Sequence, residues 1–495
     1  MRHSPAPGGA RSLRLRAVLA PVIALGLLGA GCSEVVHREA PPTDRLIYPT
    51  GIAAVPLQSG GSGLLVLSSN FDLLYDARTG GTAMSVALST PRTTGLDVPL
   101  GPPEVVGDVL RVPSMGGPVT LALDPGLDPP GTARPGGCPG VGSDLALFTS
   151  RYTDELMVPT IEADGRLTCG SNCAVALPLQ HSDPLGVAVK CAGGMARAYV
   201  GHMRASTDGE ITEVVLASAN DPELSPGEKA RPVPWVRRSF RAGLGVYALA
   251  YQPERDRLWV TPDGTYANAP IGVVKLGVHC DPTDLDVYGL PCPRVDIAGD
   301  VFTWLRGAEL RGLAFANPDA NGNRNRLFVA VQLFDPDLAL RVGGRPSFDV
   351  GAALVVLDVS ETIAGNPVVS LARIVPLGMG AAQLRVLPPR AGKGDLVAVV
   401  SLTDGDLTLY DDDTGAVAKV FALSQGASDP SGFLPGLPQM GKQPYDLAVE
   451  QRDDAGTVYD WIYVTSFLSN TVQVVRLLPD APSDAEIRYT IGRIP

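Results

Sequence analysis

The sequence predicts an all-β protein, a seven-bladed β-propeller with long loop insertions, from three observations. A two-segment unit recurs seven times, each segment short, β-branched and bounded by turn residues. Gly (56) and Pro (45) are abundant while charged residues make up only 19% of the chain, a mix that suits many short strands joined by turns. Beyond the N-terminal leader no stretch carries a long, capped helical period.

Each unit is a Gly- or Pro-led apolar segment, a turn, and a second apolar segment ending in small polar residues. The paired segments are 49–55 with 64–70, 118–124 with 145–151, 183–189 with 198–202, and 245–251 with 257–261. The remaining pairs are 311–315 with 326–331, 382–387 with 395–401, and 443–449 with 461–466. The second copy is the weakest. Copies stand roughly 60 to 70 residues apart, whereas four strands of about five residues with turns need about 40. The excess is assigned to loops in the Pro/Gly-rich stretches 91–117, 125–142, 218–240 and 333–350. One four-stranded sheet cannot bury both of its faces. Seven sheets stacked around an axis can, and closing the ring protects their edges. The propeller is expected to occupy residues 46–495 as one domain.

Residues 1–31 read as an address. Arg2, Arg11, Arg14 and Arg16 precede an uncharged apolar run, Ala17 to Gly31, that is too short for a comfortable membrane span. The run ends in Leu28-Gly29-Ala30-Gly31-Cys32. Small residues before a Cys resemble the lipobox of bacterial lipoproteins, in which the Cys becomes the lipid-bearing (palmitate-carrying) N-terminus. Gly29 stands where that family usually has Leu, and an ordinary signal peptide cleaved nearby is the alternative. The resemblance implies lipid attachment at Cys32, a membrane partner held through that lipid, and a tether over 32–45. Ser33 after the Cys implies the outer membrane under enteric-type sorting. Removing the four leader arginines would move the net charge from −12 to −16. That acidic balance argues against nucleic acid as a partner, since phosphate binding needs clustered Lys and Arg.

Six cysteines remain: Cys138, Cys169, Cys173, Cys191, Cys280 and Cys292. An even number in an exported chain points to as many as three disulfides. Cys280 and Cys292, close in sequence around a turn-rich segment, are expected to pair with each other. The other four allow three pairings. A zinc site from Cys169, Cys173, His181 and Cys191 is a competing reading whose spacing is not a standard one.

Tyr463-Val-Thr-Ser-Phe-Leu-Ser-Asn-Thr-Val-Gln-Val-Val475 resembles the YVTN repeat of seven-bladed propellers, with Ser466 where that pattern has Asn, and 65–76 is a looser copy. Such repeats occur in lactonase-like and quinoprotein-like propellers. The resemblance speaks to fold, and propellers host many unrelated functions.

In an antiparallel hairpin the start of the first strand and the end of the second lie at one end. That rule gathers Asn70, Arg151, Tyr152, His181, Asp183, His202, Arg204, Asp263, Arg311, Gln332, Gln383, Thr403, Gln443 and Ser466 on one face, ringing the mouth of the central channel. His202 with Arg204, and His181 with Asp183, are candidates for acid–base work, set against solvated loop residues. The run Asn317 to Asn325 offers alternating oxygen ligands like a calcium loop but lacks the expected Gly and closing Glu, so it reads as a hairpin loop. No haem-attachment, nucleophile-elbow, zincin or phosphate-loop motif is present. The expected function is a membrane-anchored binding or scaffold module for a protein or glycan at the propeller face, with no cofactor, no metal and no catalytic residue assigned. The alternative, implied by the family resemblance, is a lactonase-like hydrolase with a divalent cation, calcium, at the channel. Three or more carboxylate, Asn or His side chains converging within metal-ligand reach at the axis would favour the hydrolase. A mouth of Gly, Thr and Val would favour the binding module.

Overall fold

The computed structural model describes residues 45–58, 61–69, 80–88, 105–113, 116–128, 137–178, 181–192, 194–205, 209–243, 245–262, 271–276, 308–334, 351–363, 365–423, 443–454 and 456–492. The leader, Cys32, the tether up to residue 44, Asn70, Asp263, Cys280 and Cys292 lie outside the described residues.

Seven antiparallel sheets follow one another along the chain as the blades of a β-propeller, and each is built from contiguous sequence. Blade 1 holds β1 (Pro49–Pro56), β2 (Ser62–Ser68), β3 (Gly81–Ala87) and β4 (Leu110–Val112). Blade 2 is assembled from short pieces: β5 (Thr120–Ala122), β6 (Asp144–Ser150), β7 (Glu155–Met157), β8 (Thr160–Ile161), β9 (Leu167–Thr168) and β10 (Ala174–Ala176). Blade 3 has β11 (His181–Ala192), β12 (Met195–Ala205), β13 (Gly209–Ala217) and β14 (Trp235–Gly243). The described part of blade 4 has β15 (Val246–Gln252), β16 (Arg257–Pro262) and β17 (Gly272–Lys275). Blade 5 comprises β18 (Glu309–Phe315), β19 (Arg326–Phe334), β20 (Gly351–Glu361) and β21 (Pro367–Leu377). Blade 6 has β22 (Ala381–Val386), β23 (Leu396–Ser401), β24 (Asp406–Asp411) and β25 (Ala416–Ala422). Blade 7 has β26 (Pro444–Asp454), β27 (Thr457–Ser466), β28 (Thr471–Leu478) and β29 (Ala481–Ile491).

The seven repeat copies fall on the first two paired strands of the seven blades. The stretch 218–240 departs from its assignment as a loop. It holds a one-turn helix, α1 (Pro226–Lys229), with Ser225 and Glu228 in a capping box, and most of β14. Strand β4 likewise falls within 91–117. Asn317 to Asn325 is the β18–β19 connection, and the Asp319 carboxylate accepts hydrogen bonds from the backbone of Asn321 and Asn323 and from the Asn325 amide of its own loop.

Closure follows from packing. The first strand of each blade neighbours the first strand of the next, from β1 through β5, β11, β15, β18, β22 and β26 back to β1. Seven apolar clusters fill the seven interfaces between adjacent blades. Each large side chain buried there contributes about 1.5–3 kcal/mol. The blade 7 to blade 1 interface joins the two ends of the ring, and side chains close it, because all four strands of blade 7 come from the C-terminal end of the fold. Leu46, ahead of β1, packs with Trp461, Tyr463 and Val472. The Tyr48 N–H donates to Asn470 Oδ1 at 2.7 Å, and the Ile52 N–H to Asp446 Oδ2 at 3.1 Å.

One irregularity recurs. Near the start of the first strand an extra residue interrupts the register, so that two residues oppose one on the partner strand. The bulge pairs are Thr50-Gly51, Leu185-Gly186, Tyr247-Ala248, Arg311-Gly312, Ala382-Gln383 and Tyr445-Asp446. In blades 1, 3, 5 and 7 the second residue of the pair lies against the following blade. A Cβ at Gly51, Gly186 or Gly312 would sit 2.5, 2.9 or 2.7 Å from the carbonyl oxygen of Gly117, Tyr247 or Ala382 on that blade. Only Gly permits so close an approach. In blade 7 the same position is Asp446, whose buried carboxylate reaches Ile52 of blade 1 and Arg385 of blade 6. Burial pushes the Asp446 pKa up, against the pull of Arg385 and the two backbone N–H donors.

A second buried carboxylate carries a pH signature. Asp460, in β27 away from the bulge, has one oxygen bonded to the Gln451 amide at 2.9 Å and the other without a partner. Burial raises its pKa from 3.8 to about 6. The folded protein therefore holds this proton more tightly than the unfolded chain, so stability falls as pH rises between about 4 and 6 and the cost persists above. Asp460→Asn keeps the acceptor for Gln451. It is expected to stabilise the protein at pH 7.5 by about 2–3 kcal/mol and to have no effect at pH 4. Thermal unfolding at the two pH values checks this; an unchanged or lowered Tm at pH 7.5 contradicts it.

Candidate functional site

Three of the first residues of these pairs lie close to one another. Tyr247 comes from blade 4, Arg311 from blade 5 and Tyr445 from blade 7, and these meet although blade 7 is not adjacent to the other two. The Arg311 guanidinium lies 4.4 Å from the centre of the Tyr247 ring. Burial is the main reason the Tyr445 phenol is pushed up, and Tyr247 across the axis adds to it, while Arg151 and Arg311 pull the other way. Arg151, just past the end of β6, reaches the same centre from blade 2.

Each arginine is held by a carboxylate. Arg151 Nε donates to Asp183 Oδ1 at 2.5 Å, and its Nη2 lies 3.7 Å from Met203 Sδ. Burial works against the Arg151 charge, but Asp183 outweighs it and the pKa stands above its ordinary value. Arg204, 79% exposed, approaches the second Asp183 oxygen at 3.6 Å. Arg311 pairs with Glu309 and donates from Nε to Gln332 Oε1 at 2.7 Å. Asp154 accepts the Asp183 N–H at 3.1 Å, and burial raises its pKa, helped by the nearby Asp183 charge.

The entry to the first strand is strained in three blades. Tyr48, Asp183 and Gln443 each precede a proline and each adopt left-handed backbone, with φ of 45°, 65° and 44°. Such non-Gly conformations cost on the order of 1–3 kcal/mol each and persist only where the surroundings hold them. Asn470 holds Tyr48 and Asp154 holds Asp183, while the Gln443 carbonyl accepts the Phe467 N–H. The Phe467 ring then bridges Tyr48 and Tyr445, at centroid distances of 5.0 and 5.8 Å.

Arg151, Asp183, Arg204, Arg311 and Gln332 are thus brought together at the mouth. Tyr152 is exposed beside them. Gln383 is the second bulge residue of blade 6 and is buried, and Thr403 is exposed in the turn between β23 and β24. Two rim assignments are corrected. His202 is buried, with Nε2 2.9 Å from Thr212 Oγ1, because β12 runs on to Ala205 and leaves it mid-strand. Ser466 is buried and donates to Gln473. His181 begins β11, opposite Ala205. The zinc reading is overturned, because Cys138 is bonded to Cys191 and Cys169 to Cys173, one of the three open pairings. Among the described residues no three His, Cys, Asp or Glu side chains are grouped so as to hold a metal ion. The mouth meets neither expectation set for it: arginines, tyrosines and paired carboxylates line it. Tyr247, Tyr445, Glu309 and Asp154 were not foreseen. Aligning the six bulged first segments on their bulge would have exposed the column Thr50, Leu185, Tyr247, Arg311, Ala382, Tyr445.

No protein-family model matches the chain, and no curated protein matches it. Among solved structures it is similar to Kuenenia stuttgartiensis hydrazine synthase, at 13% identity and a TM-score of 0.47, over 90% of this chain and 99% of that one. It is also similar to KlHsv2 with its loop 6CD replaced by a Gly-Ser linker, at 9% identity and a TM-score of 0.42, again over 90% and 99%. A third is a functionally unknown protein from Desulfotomaculum acetoxidans DSM 771, at 9% identity and a TM-score of 0.34, over 67% and 75%. Likenesses this distant carry nothing about activity, and the seven-bladed fold stands on the strand order and ring closure of the chain itself.

Proposed function

We propose that the chain is an exported lipoprotein, tethered through lipid on Cys32 to the outer membrane, whose propeller is a binding or scaffold module taking its partner at the mouth of the central channel. One observation carries the binding reading: residues of blades 2, 3, 4, 5 and 7 converge there as arginines engaged with carboxylates and as tyrosine faces. That is the make-up of a recognition surface, not of a nucleophile with its base. The two disulfides support an oxidising compartment. The lipobox-like leader supports the anchor.

The test is a pull-down from detergent-solubilised envelope with the full-length protein, run beside metal analysis and an Arg311→Gln control. A component retained by the wild type and lost from the control is the expected result. A clean metal stoichiometry with nothing retained would overturn the reading in favour of hydrolysis at a channel cation. For the anchor, Cys32→Ser is expected to release the protein from membranes and abolish labelling by a palmitate analogue. Unchanged labelling would sink that half.

A further inference from the structure

The two described disulfides differ in access and in the size of the loop they close. Thiol exchange begins when a thiolate reaches one sulfur in line with the bond, so it needs an open cysteine. Cys169 is exposed, as are Gly170, Ser171 and Asn172 beside it. Cys138 is fully buried, and Cys191 is half-buried against the apolar cluster that joins blades 2 and 3. The constraint a disulfide places on the unfolded chain grows with its loop. Cys138–Cys191 has a sequence separation of 53 and Cys169–Cys173 one of 4. Opening the small ring therefore removes little of the stability of the whole fold.

We infer that Cys169–Cys173 is a thiol-exchange site, opened and closed by a dithiol while the propeller stays folded. The attacking thiolate forms a bond to Cys169 Sγ as the bond from Cys169 to Cys173 breaks. Cys173 leaves as a thiolate and takes a proton from solvent. The second thiol of the reductant, as its thiolate, then displaces Cys169, which is protonated in turn. Two electrons and two protons have passed to the protein, and the reductant ends as a disulfide. Cys173, 5% exposed and clustered with Met157, Ile161 and Leu167, is shielded from other thiols and is left for Cys169 to re-pair with. Opening has a local consequence. The Cys173 carbonyl accepts the Val158 N–H at 2.7 Å. The strand that follows, β10, is the outer strand of its sheet, pairs β7 over three residues, and has Ala174 and Ala176 exposed. Leu177, just beyond it, donates its N–H to the Asp154 carbonyl at 2.8 Å, and the Asp154 carboxylate accepts the Asp183 N–H. With so short a ladder, the closed ring ahead of β10 holds the strand in place. Reduction loosens β10 and the residues 154–158 against which it lies.

The experiment uses the full-length protein in detergent at about pH 8, where a dithiol is partly thiolate. Dithiothreitol is added, free thiols are blocked with iodoacetamide at timed intervals, and peptide mass spectrometry reads each cysteine. Cys169 and Cys173 are expected to be labelled at least about tenfold faster than Cys138 and Cys191, while the far-UV circular dichroism stays that of the folded protein. Oxidised dithiothreitol is expected to restore the Cys169–Cys173 bond. In the partly reduced protein, amide exchange is expected to quicken in β7 and β10 and to stay unchanged in β22 to β28. Equal labelling of the two pairs overturns the inference. So does opening of Cys169–Cys173 only at the rate of global unfolding. Exchange in β7 and β10 that keeps its oxidised rate after the ring has opened overturns the local loosening. None of these readings depends on what the mouth binds.

Discussion

Arg197→Met is expected to destabilise the protein by about 3–5 kcal/mol, the cost of leaving buried carboxylates without their cation. Arg197 lies in β12 and is fully buried. Its Nη1 donates to Glu213 and Glu223, each at 2.7 Å, and its Nη2 to Asp221 at 2.6 Å. Arg238 holds the second Glu213 oxygen at 2.5 Å, and Arg237 reaches Glu213 and Glu223. Burial opposes the Arg197 charge, yet the three carboxylates outweigh it and keep the guanidinium charged. Burial also opposes the Glu213 charge, and Arg238, Arg197 and Arg237 outweigh it, so its pKa falls below 4.5. The unfolded chain binds this proton more tightly, so the stabilisation is present above about pH 4.5 and is lost as pH falls through the lowered value. The variant's deficit should therefore shrink in acid. Glu213→Gln added to Arg197→Met should lose less than the two single variants together, because one stranded charge has been removed. Denaturant unfolding at pH 7 and pH 4 reads all of this. A deficit under 1 kcal/mol at pH 7 would show the network to be dispensable.

That network also explains part of what the sequence hid. Trp235-Val-Arg-Arg-Ser-Phe-Arg reads as a polar stretch, so the sequence of β14 suggests a loop, because Arg237 and Arg238 suggest solvent until Glu213 is placed beside them. Outer strands are half exposed and carry weak patterns; in β25 most residues are partly or fully exposed. The first two strands of each blade were legible because a neighbouring blade covers each face, leaving near-continuous apolar runs such as Leu64 to Leu67 and Leu396 to Val400. At the mouth, Arg151, Asp183 and Arg311 followed from hairpin geometry alone. Tyr247 and Tyr445 did not, because a tyrosine within an apolar segment reads as core. His202 erred the other way: a polar residue near the end of a short apolar run looks like a rim residue, while the strand continues three residues further.

Replacing Cys138 and Cys191 together with Ser is expected to cost about 4 kcal/mol, the chain-entropy value for the loop they close at a sequence separation of 53. The effect should concentrate in blade 2. Its pieces run from two to seven residues, and its innermost strand β5 has three, so backbone pairing ties that blade together less than its neighbours. Both described disulfides act there. Cys169–Cys173 closes the turn ahead of β10, and Cys138–Cys191 fastens the segment before β6 to the end of β11 in blade 3. Cys138 is fully buried among Ala122, Leu147 and Ala196, so its loss also opens the core between the two blades. The double variant is expected to lower the Tm. It should also speed amide exchange in β5 to β10 well before β22 to β28 are affected. Reduction of the wild type should reproduce both effects. If exchange in blade 2 stays at the wild-type rate while the Tm falls, the bond stabilises the ring as a whole, and the argument that it substitutes for missing ladder bonds in blade 2 fails.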